Sequence, residues 1–383
     1  MKIGIFTETF LPQVNGVVVS ICNVNRCLVK RKHNISVFTV GKGPEKLDNY
    51  PVYRFKGITF KPYPEYKILL PNYKIWRIIK KKHLDVIHSR SPFGMGIIAK
   101  RLAQSTEKPI VGTFDTPMID YLHYVPVLGS FGPTKYILGK FTKTYLRKYY
   151  GWCDLVTVPS ETTKNKLLSM GFKNNIEVVS NGVDIEKYNQ KKSDQSLRKK
   201  LCPNQEKLIL HVGRITKEKR AESLILTAKL LADKKTNFKM LIAGDGPELQ
   251  KLKNLSASLG LSEKIIFTGY LSQSELPKYY ASADMFLTGS TVETQGIVLL
   301  EALASGLPVI GADAEAIPEL IKNGKNGFLF DYQDLDKASD LAEALIKDEN
   351  LRKKLSKNCP QSAKNHSIES VCTKMEHIYK SLM

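Results

Sequence analysis

Residues 285–313 read MFLTGSTVETQGIVLLEALASGLPVIGAD. Two short apolar runs, MFLTGS (285–290) and PVIGAD (308–313), flank a helical pattern that is apolar around most of its circumference. Apolar runs too short for helices and bounded by Gly and Pro are strands buried on both faces. A helix between two of them makes a βαβ unit of a parallel sheet.

Working outward, the same alternation fills the chain. KIGIFTE (2–8), ISVFTV (35–40), DVIHSR (85–90), PIVGTF (109–114) and LVTVPS (155–160) form one series of expected strands. LILHVGR (208–214), KMLIAGDG (239–246), IIFTGY (265–270) and the two opening runs form a second. A chain of 383 residues exceeds one hydrophobic core. The fold class expected is therefore α/β, with two doubly wound parallel-sheet domains, 1–183 and 184–366. The polar stretch DIEKYNQKKSDQSLRKKLCPNQEK (184–207) reads as the connection between them. The helically periodic end of the chain, 367–383, is expected to pack back on the first domain.

Net charge is +21, and it is uneven. Residues 1–180 hold 28 Lys and Arg against 11 Asp and Glu, a net +17, which leaves +4 for residues 181–383. One half only therefore calls for an anionic partner. Six scattered cysteines without a C-x-x-C pair fit reduced thiols better than a disulfide framework or a zinc site. The opening MKIGIFTETF has too short an apolar run for a signal peptide, and no stretch reaches about 18 apolar residues. The reading is of a protein that neither spans a membrane nor is exported.

In open parallel sheets ligands bind beyond the carboxyl ends of the strands, so the strand-end residues carry the chemistry. After the first strand, LPQVNGVVVS places Gly16 at a helix start, where backbone N–H groups and the helix dipole face an anion. The bland alternative is a turn with Asn15 as N-cap. No G-x-G-x-x-G follows a strand, which argues against a nicotinamide cofactor. HVGRITKEKR puts Arg214 and Lys219 on one loop, a fork-shaped cation and a point cation suited to a pyrophosphate; a solvated basic loop is the alternative. AGDGPE (243–248) ends its strand in a tight turn, with Gly244 lining a nucleotide pocket or serving as structure alone. His88 reads as a satisfied core group, and the DLD at 334–336 as a helix cap rather than a metal site.

Glu293 precedes the helix of the opening stretch and Glu301 lies inside it. Eight helical residues rise about 12 Å, whereas glycosidase carboxylate pairs stand about 5–9.5 Å apart. The two fit the ends of one elongated ligand better than a hydrolytic dyad. Glu301 in an apolar helix would be costly as a free charge; ribose hydroxyls donating to it would offset that cost, as would a salt bridge to a lysine. Glu293, with the backbone N–H groups of Thr294, Gln295, Gly296 and Ile297 beside it, would meet the sugar and phosphate end.

These motifs together resemble the retaining glycosyltransferases of family 4 in the GT-B group. The resemblance rests on the Glu293/Glu301 pair in ETQGIVLLEALASGLPVI, GRITKEK (213–219), AGDGPE, SNGVD (180–184) and FLPQVNGVV (10–18), and it covers essentially all 383 residues. FTETFLPQVNGV (6–17), SPFGMG (91–96) and DTPMIDYLHYVP (115–126) are most similar to enzymes that glycosylate membrane lipids, such as diacylglycerol glucosyltransferases. The resemblance implies two Rossmann-like domains facing a central cleft, with a nucleotide sugar, UDP-glucose first, held mainly by the second. It implies Glu301 on the ribose, Arg214 and Lys219 on the diphosphate, Gly16 near the phosphates and Glu293 on the sugar hydroxyls. No cofactor beyond the donor is required. No metal is needed where Arg214, Lys219 and helix N-termini stabilise the leaving diphosphate.

Asp115 departs from the family, which carries a histidine there as a catalytic-site group. An ionised aspartate cannot donate and is repelled by a diphosphate. Asp115 is expected to face a sugar or acceptor hydroxyl, with Asp115→His active and Asp115→Ala impaired. The lipid resemblance also gives the charge asymmetry a partner, an anionic membrane surface. PNYKIWRIIKKKHL (71–84) and TKYILGKFTKTYLRKYYGW (134–152) interleave basic residues with aromatics, as membrane-surface helices do. The alternative for the first is that Ile75, Ile78 and Ile79 pack on the sheet below solvated lysines. The implied place is cytoplasmic, peripheral on the inner face of the cell membrane, with a lipid acceptor. Nucleic acid is not an expected partner, because no nucleic-acid motif is present. A 2-epimerase, a soluble-glycan acceptor and a noncatalytic sugar-binding homologue are the rival readings.

Overall fold

The computed structural model describes residues 1–13, 15–59, 67–70, 73–115 and 132–383. The chain divides into two compact units, Met1–Gly182 with Ile368–Met383, and Val183–Ser367.

Unit 1 is built on β1 (Lys2–Phe6), β2 (Asn34–Val40), β3 (Lys46–Leu47) and β4 (Tyr50–Phe55), a small antiparallel pair β5 (Ile58–Thr59) and β6 (Lys67–Ile68), then β7 (Val86–Ser89), β8 (Ile110–Thr113), β9 (Leu155–Val158) and β10 (Ile176–Val178). Its main sheet runs β10-β9-β8-β7-β1-β2-β4-β3, parallel except for β3 on β4. The helices are α1 (Gly16–Lys30), α2 (Tyr73–Lys80), α3 (Gly94–Thr106), α4 (Gly132–Tyr150) and α5 (Glu161–Ser169). Side chains alternate between two cores, as a sheet covered on both faces requires. Ile3 and Ile5 join α1 on one face, and Phe6 joins α3 on the other. From β1 the chain winds to β2 and β4 on one side, then from β7 to β10 on the other. The direction reverses at the β1/β7 boundary, the switch point where ligands of doubly wound sheets bind.

Unit 2 repeats the plan with α6 (Gln195–Leu201), β11 (Lys207–Val212), α7 (Ala221–Asp233), β12 (Phe238–Ala243), α8 (Leu249–Ser258), β13 (Ile265–Gly269), α9 (Leu276–Ser282), β14 (Met285–Thr288), α10 (Ile297–Ala304), β15 (Val309–Ala312), α11 (Ile317–Leu320), β16 (Gly327–Phe330), α12 (Leu335–Lys347) and α13 (Glu349–Lys364). Its sheet, β13-β12-β11-β14-β15-β16, is parallel throughout and reverses at β11/β14. The last helix, α14 (Ile368–Ser381), belongs to unit 1, where Val371, Cys372, Met375 and Tyr379 share the core of α1.

The ten strands read from sequence are all present, each within three residues at its ends. Strands β3, β4, β5, β6, β10 and β16 escaped that reading: β3, β5 and β6 have only two residues each, β4 carries Pro51, and β10 and β16 have only three and four residues. The stretch 184–207 is more than a connection, because α6 folds into unit 2. Asp194 Oδ1 accepts from Leu197 N at 3.0 Å, Arg198 pairs with Asp284 at 2.6 Å, and Tyr188 and Leu201 are buried. All six cysteines are free thiols, and no helix among the described residues is long and apolar enough to cross a membrane.

Candidate functional site

Strands β11 and β14 lie side by side, so the loops leaving their carboxyl ends face each other at the unit 2 switch point. Lys219, from the first loop, sets its Nζ 2.6 Å from Glu293 Oε1 of the second and donates to the Val292 carbonyl at 3.1 Å. Both side chains are nearly buried, 16% and 14% exposed. An ammonium has three donors, and these contacts use two. Arg214, on the same loop, is half-exposed, with Nη2 3.7 Å from Glu218. Gly296 heads α10 at φ +88°, a conformation that favours glycine, and the first N–H groups of that helix have no side-chain cap. Thr294, Gln295 and Ile297 flank it, and Gln295 is buried. Gly244 ends β12 at φ +152°, where a Cβ would stand 1.8 Å from the Gly213 carbonyl oxygen. Glycine there lets the β11 and β12 loops touch backbone to backbone.

Glu301, 4% exposed, does not pair with a lysine side chain as its closest partner. The Tyr280 hydroxyl donates to Oε2 at 2.9 Å, and the Tyr188 hydroxyl lies beside the carboxylate as well. Burial pushes its pKa up, against the pull of the two tyrosines and Lys187. His211 lies near Lys219 and Glu293: its Nδ1 is 3.0 Å from the Leu287 carbonyl, its Nε2 is buried without a hydrogen-bond partner, and burial lowers its pKa to about 4.

At the unit 1 switch point, Asn15 caps α1 by accepting from Val18 N at 3.0 Å, and Gly16 is the first residue of the helix. Cap and anion readings are compatible there; Val14 lies outside the described residues. Glu8, two residues past β1, is buried, and its Oε1 accepts from Met95 N at 2.6 Å at the start of α3. Oε2 is buried without a hydrogen-bond partner. Burial raises the pKa of Glu8 to about 7, against the pull of the Ser91 hydroxyl and the Met95 N–H. An acid with a raised native pKa stabilises the fold below its unfolded pKa and loses that contribution as pH rises. Between about pH 4.5 and 7 the native protein should therefore lose about 3 kcal/mol through this group. Glu8→Gln should flatten urea-unfolding stability across that window. Parallel slopes in variant and parent would remove Glu8 as the source.

Asp115 turns out to be paired. Arg90 Nε donates to its Oδ2 at 2.8 Å, with the side chains 7% and 4% exposed. Burial raises its pKa, and Arg90 pulls it back down. His88 is satisfied, as expected: Nδ1 is 2.7 Å from the Tyr379 hydroxyl and Nε2 2.6 Å from Thr113 Oγ1. Asp120, Tyr121 and His123 lie outside the described residues. Asp334 caps α12 through Lys337 N at 2.9 Å, and among the described residues no cluster of His, Cys, Asp and Glu is placed to hold a metal ion.

Comparison with known proteins gives this geometry its family. The Glycosyltransferase Family 4 profile matches residues 14–187, and the Glycosyl transferases group 1 profile matches 192–362. The chain is 31% identical over 353 residues to the alpha-monoglucosyldiacylglycerol synthase of Streptococcus pneumoniae, across 90% of this chain and 78% of that one. It is 30% identical to the synthase of the same name from Acholeplasma laidlawii, across 100% of this chain and 98% of that one. The chain is a family 4 glycosyltransferase. A GDP-mannose-dependent alpha-mannosyltransferase of Corynebacterium glutamicum also matches, at 27% identity over 100% and 89% of the two chains. The family membership therefore shows a hexosyltransferase while leaving donor and acceptor open. The Anabaena protein HepE, solved with UDP and glucose, superposes with a TM-score of 0.80 at 19% identity over the whole of both chains, which establishes the GT-B fold.

Tyr188 and Tyr280 beside Glu301, Arg90 beside Asp115, and Glu8 past β1 stand next to the candidate residues of this glycosyltransferase, and sequence reasoning missed them. Glu8 and Arg90 stand at strand ends and were open to the rule applied to their neighbours. The tyrosines carried no signal, since only tertiary packing brings them to Glu301. On unit 1, α2 buries Ile75 and Ile79 but exposes Tyr73 (65%) and Ile78 (50%), so the packing alternative fails for Ile78. Helix α4 exposes Ile137 (65%), Lys140 and Phe141 (69%) one turn apart.

Proposed function

We propose that this glycosyltransferase moves glucose from UDP-glucose, with retention, to a hydroxyl of a membrane lipid such as a diacyl- or dialkylglycerol. The observation that carries the donor half is the Lys219–Glu293 pair spanning the unit 2 switch point at the start of α10. A cation held there by a carboxylate, with one donor to spare, suits a diphosphate. In this reading 184–366 holds the donor: Glu301 the ribose, Arg214 and Lys219 the diphosphate, Glu293 and the N–H groups of 294–297 the sugar and phosphate. Gly244 lines the nucleotide pocket, Gly16 serves the phosphates, and 1–183, with Asp115, serves the acceptor. The bond from the sugar C1 to the diphosphate oxygen breaks, and a bond from C1 to the acceptor oxygen forms on the same face. The acceptor's proton passes to the departing diphosphate oxygen. Arg214, Lys219 and the helix N-terminus oppose the developing charge, a role that calls for no metal.

The lipid half is supported by the two relatives named for glucosyldiacylglycerol synthesis and by the basic, apolar-tipped faces of α2 and α4. These faces would lay the enzyme on the inner, anionic face of the cell membrane from the cytoplasm. Ile137→Ser with Phe141→Ser should weaken binding to anionic vesicles about tenfold or more. Salt should weaken it too, as the screening length falls from about 10 Å at 0.1 M to about 3 Å at 1 M. Binding indifferent to salt and to anionic lipid would refute the membrane face. The reaction itself is tested with purified protein, UDP-glucose and anionic vesicles carrying diacylglycerol. An α-linked glucolipid is expected. Product only with a soluble glycan acceptor would overturn the lipid assignment, and product only with GDP-mannose would overturn the donor.

A further inference from the structure

Tyr280 sits in the middle of α9 with no exposed surface. Its ring stacks on Phe286 of β14, centroids 6.0 Å apart, and meets Tyr188 edge-on at 5.5 Å. A tyrosine used only as a wedge could be a phenylalanine, because a buried hydroxyl is costly unless it finds a partner. Here the hydroxyl reaches Glu301 Oε2 at 2.9 Å. The Tyr188 hydroxyl stands beside the same carboxylate, 3.4 Å from Gln273 Oε1, and Lys187 Nζ donates to that amide oxygen at 2.9 Å. Two tyrosines, a glutamine and a lysine from two separate segments thus frame one carboxylate inside an apolar helix.

The geometry points to Tyr280 as a positioning residue for donor binding: its hydroxyl donates to Oε2 of Glu301 and, with the Tyr188 hydroxyl beside the same carboxylate, fixes the plane in which the carboxylate meets a cis-diol such as that of a ribose. The inference rests on the donor reading above and adds to it a residue that never touches the nucleotide. Orientation matters because a carboxylate accepts a pair of adjacent hydroxyls only in a narrow range of planes. Burial alone would let Glu301 take up a proton and turn from acceptor to donor. The tyrosine hydroxyl opposes that change by favouring the ionised form. The titratable groups facing Glu301 are Tyr280 from α9 and Tyr188 and Lys187 from the segment before α6. Burial raises both tyrosine pKa values, so Glu301 is the member of the group that changes charge in the acid range.

The test is Tyr280→Phe, which removes one oxygen and keeps the ring. UDP binding to the unchanged protein is measured first by calorimetry; its absence would remove the donor reading and this inference with it. Given binding, Tyr280→Phe should raise the dissociation constant for UDP and the donor KM about tenfold, with kcat within about threefold. Donor affinity should also begin to fall at a higher pH than in the parent as the solution is acidified. In a Glu301→Gln background, Tyr280→Phe should add less than about twofold, because the residue acts through the carboxylate. Parent-like affinity and pH profile in Tyr280→Phe would overturn the inference while leaving the donor reading intact. So would equal losses in kcat and KM that track a lowered Tm with an unmoved pH profile, since that outcome marks a packing hydrogen bond alone.

Discussion

Lys219→Ala is expected to lower kcat about 100- to 1,000-fold, the usual loss when one preorganised group that meets developing charge is removed. The nearly buried ammonium is held by Glu293 at 2.6 Å and by the Val292 carbonyl at 3.1 Å, so it is oriented before any ligand arrives. Alanine deletes the charge and also leaves Glu293, 14% exposed, as a carboxylate repelling the leaving diphosphate. Two effects of the same sign make this the largest activity loss in unit 2. Lys219→Arg keeps the charge, but its planar fork does not reproduce the two contacts, and it should recover only part of the rate. Glu293→Gln frees the ammonium without deleting it and should cost less than alanine at 219. Initial rates at saturating donor separate the three. A kcat for Lys219→Ala within about tenfold of the parent would remove Lys219 from the reaction.

The sequence carried the architecture because a parallel sheet covered on both faces demands largely apolar strands, and strands such as Lys207–Val212 and Val309–Ala312 announce themselves that way. The strand ends followed, and with them the loops bearing Lys219 and Glu293, whereas the switch points needed the strand order of the folded sheets. The partners of these loops were less legible. Glu301 could be seen to need a hydrogen bond, but nothing in the chain says that Tyr280, on a helix twenty-one residues earlier, supplies it. Tyr188 was lost within a stretch whose lysines and asparagines read as a connection, although one face of it is apolar and buried. Arg90 shows the same limit. Adjacent strands bring it to Asp115 across twenty-five residues, and pairing between strand ends is a tertiary fact.

That pairing reverses an expectation about position 115. A histidine there, with Arg90 kept, would leave a guanidinium 7% exposed with no carboxylate. Removing one partner of a buried pair costs about 3–5 kcal/mol, because the remaining charge stays desolvated. Asp115→His and Asp115→Ala should therefore both unfold at markedly lower urea concentration than the parent, and both should lose transfer activity. Exchanging the pair for neutral groups of similar shape removes the stranded charge, so Arg90→Gln combined with Asp115→Asn should recover most of the lost stability. Activity in that double variant then tells what the aspartate does. Recovery of stability without transfer would leave Asp115 a role in the reaction, and recovery of both would make the pair a structural clamp. Single variants as stable as the parent would mean that the pair is not buried as a unit. The carboxylate that a diphosphate would repel as a free charge is here already neutralised by its neighbour, which removes the electrostatic objection to an aspartate at that strand end.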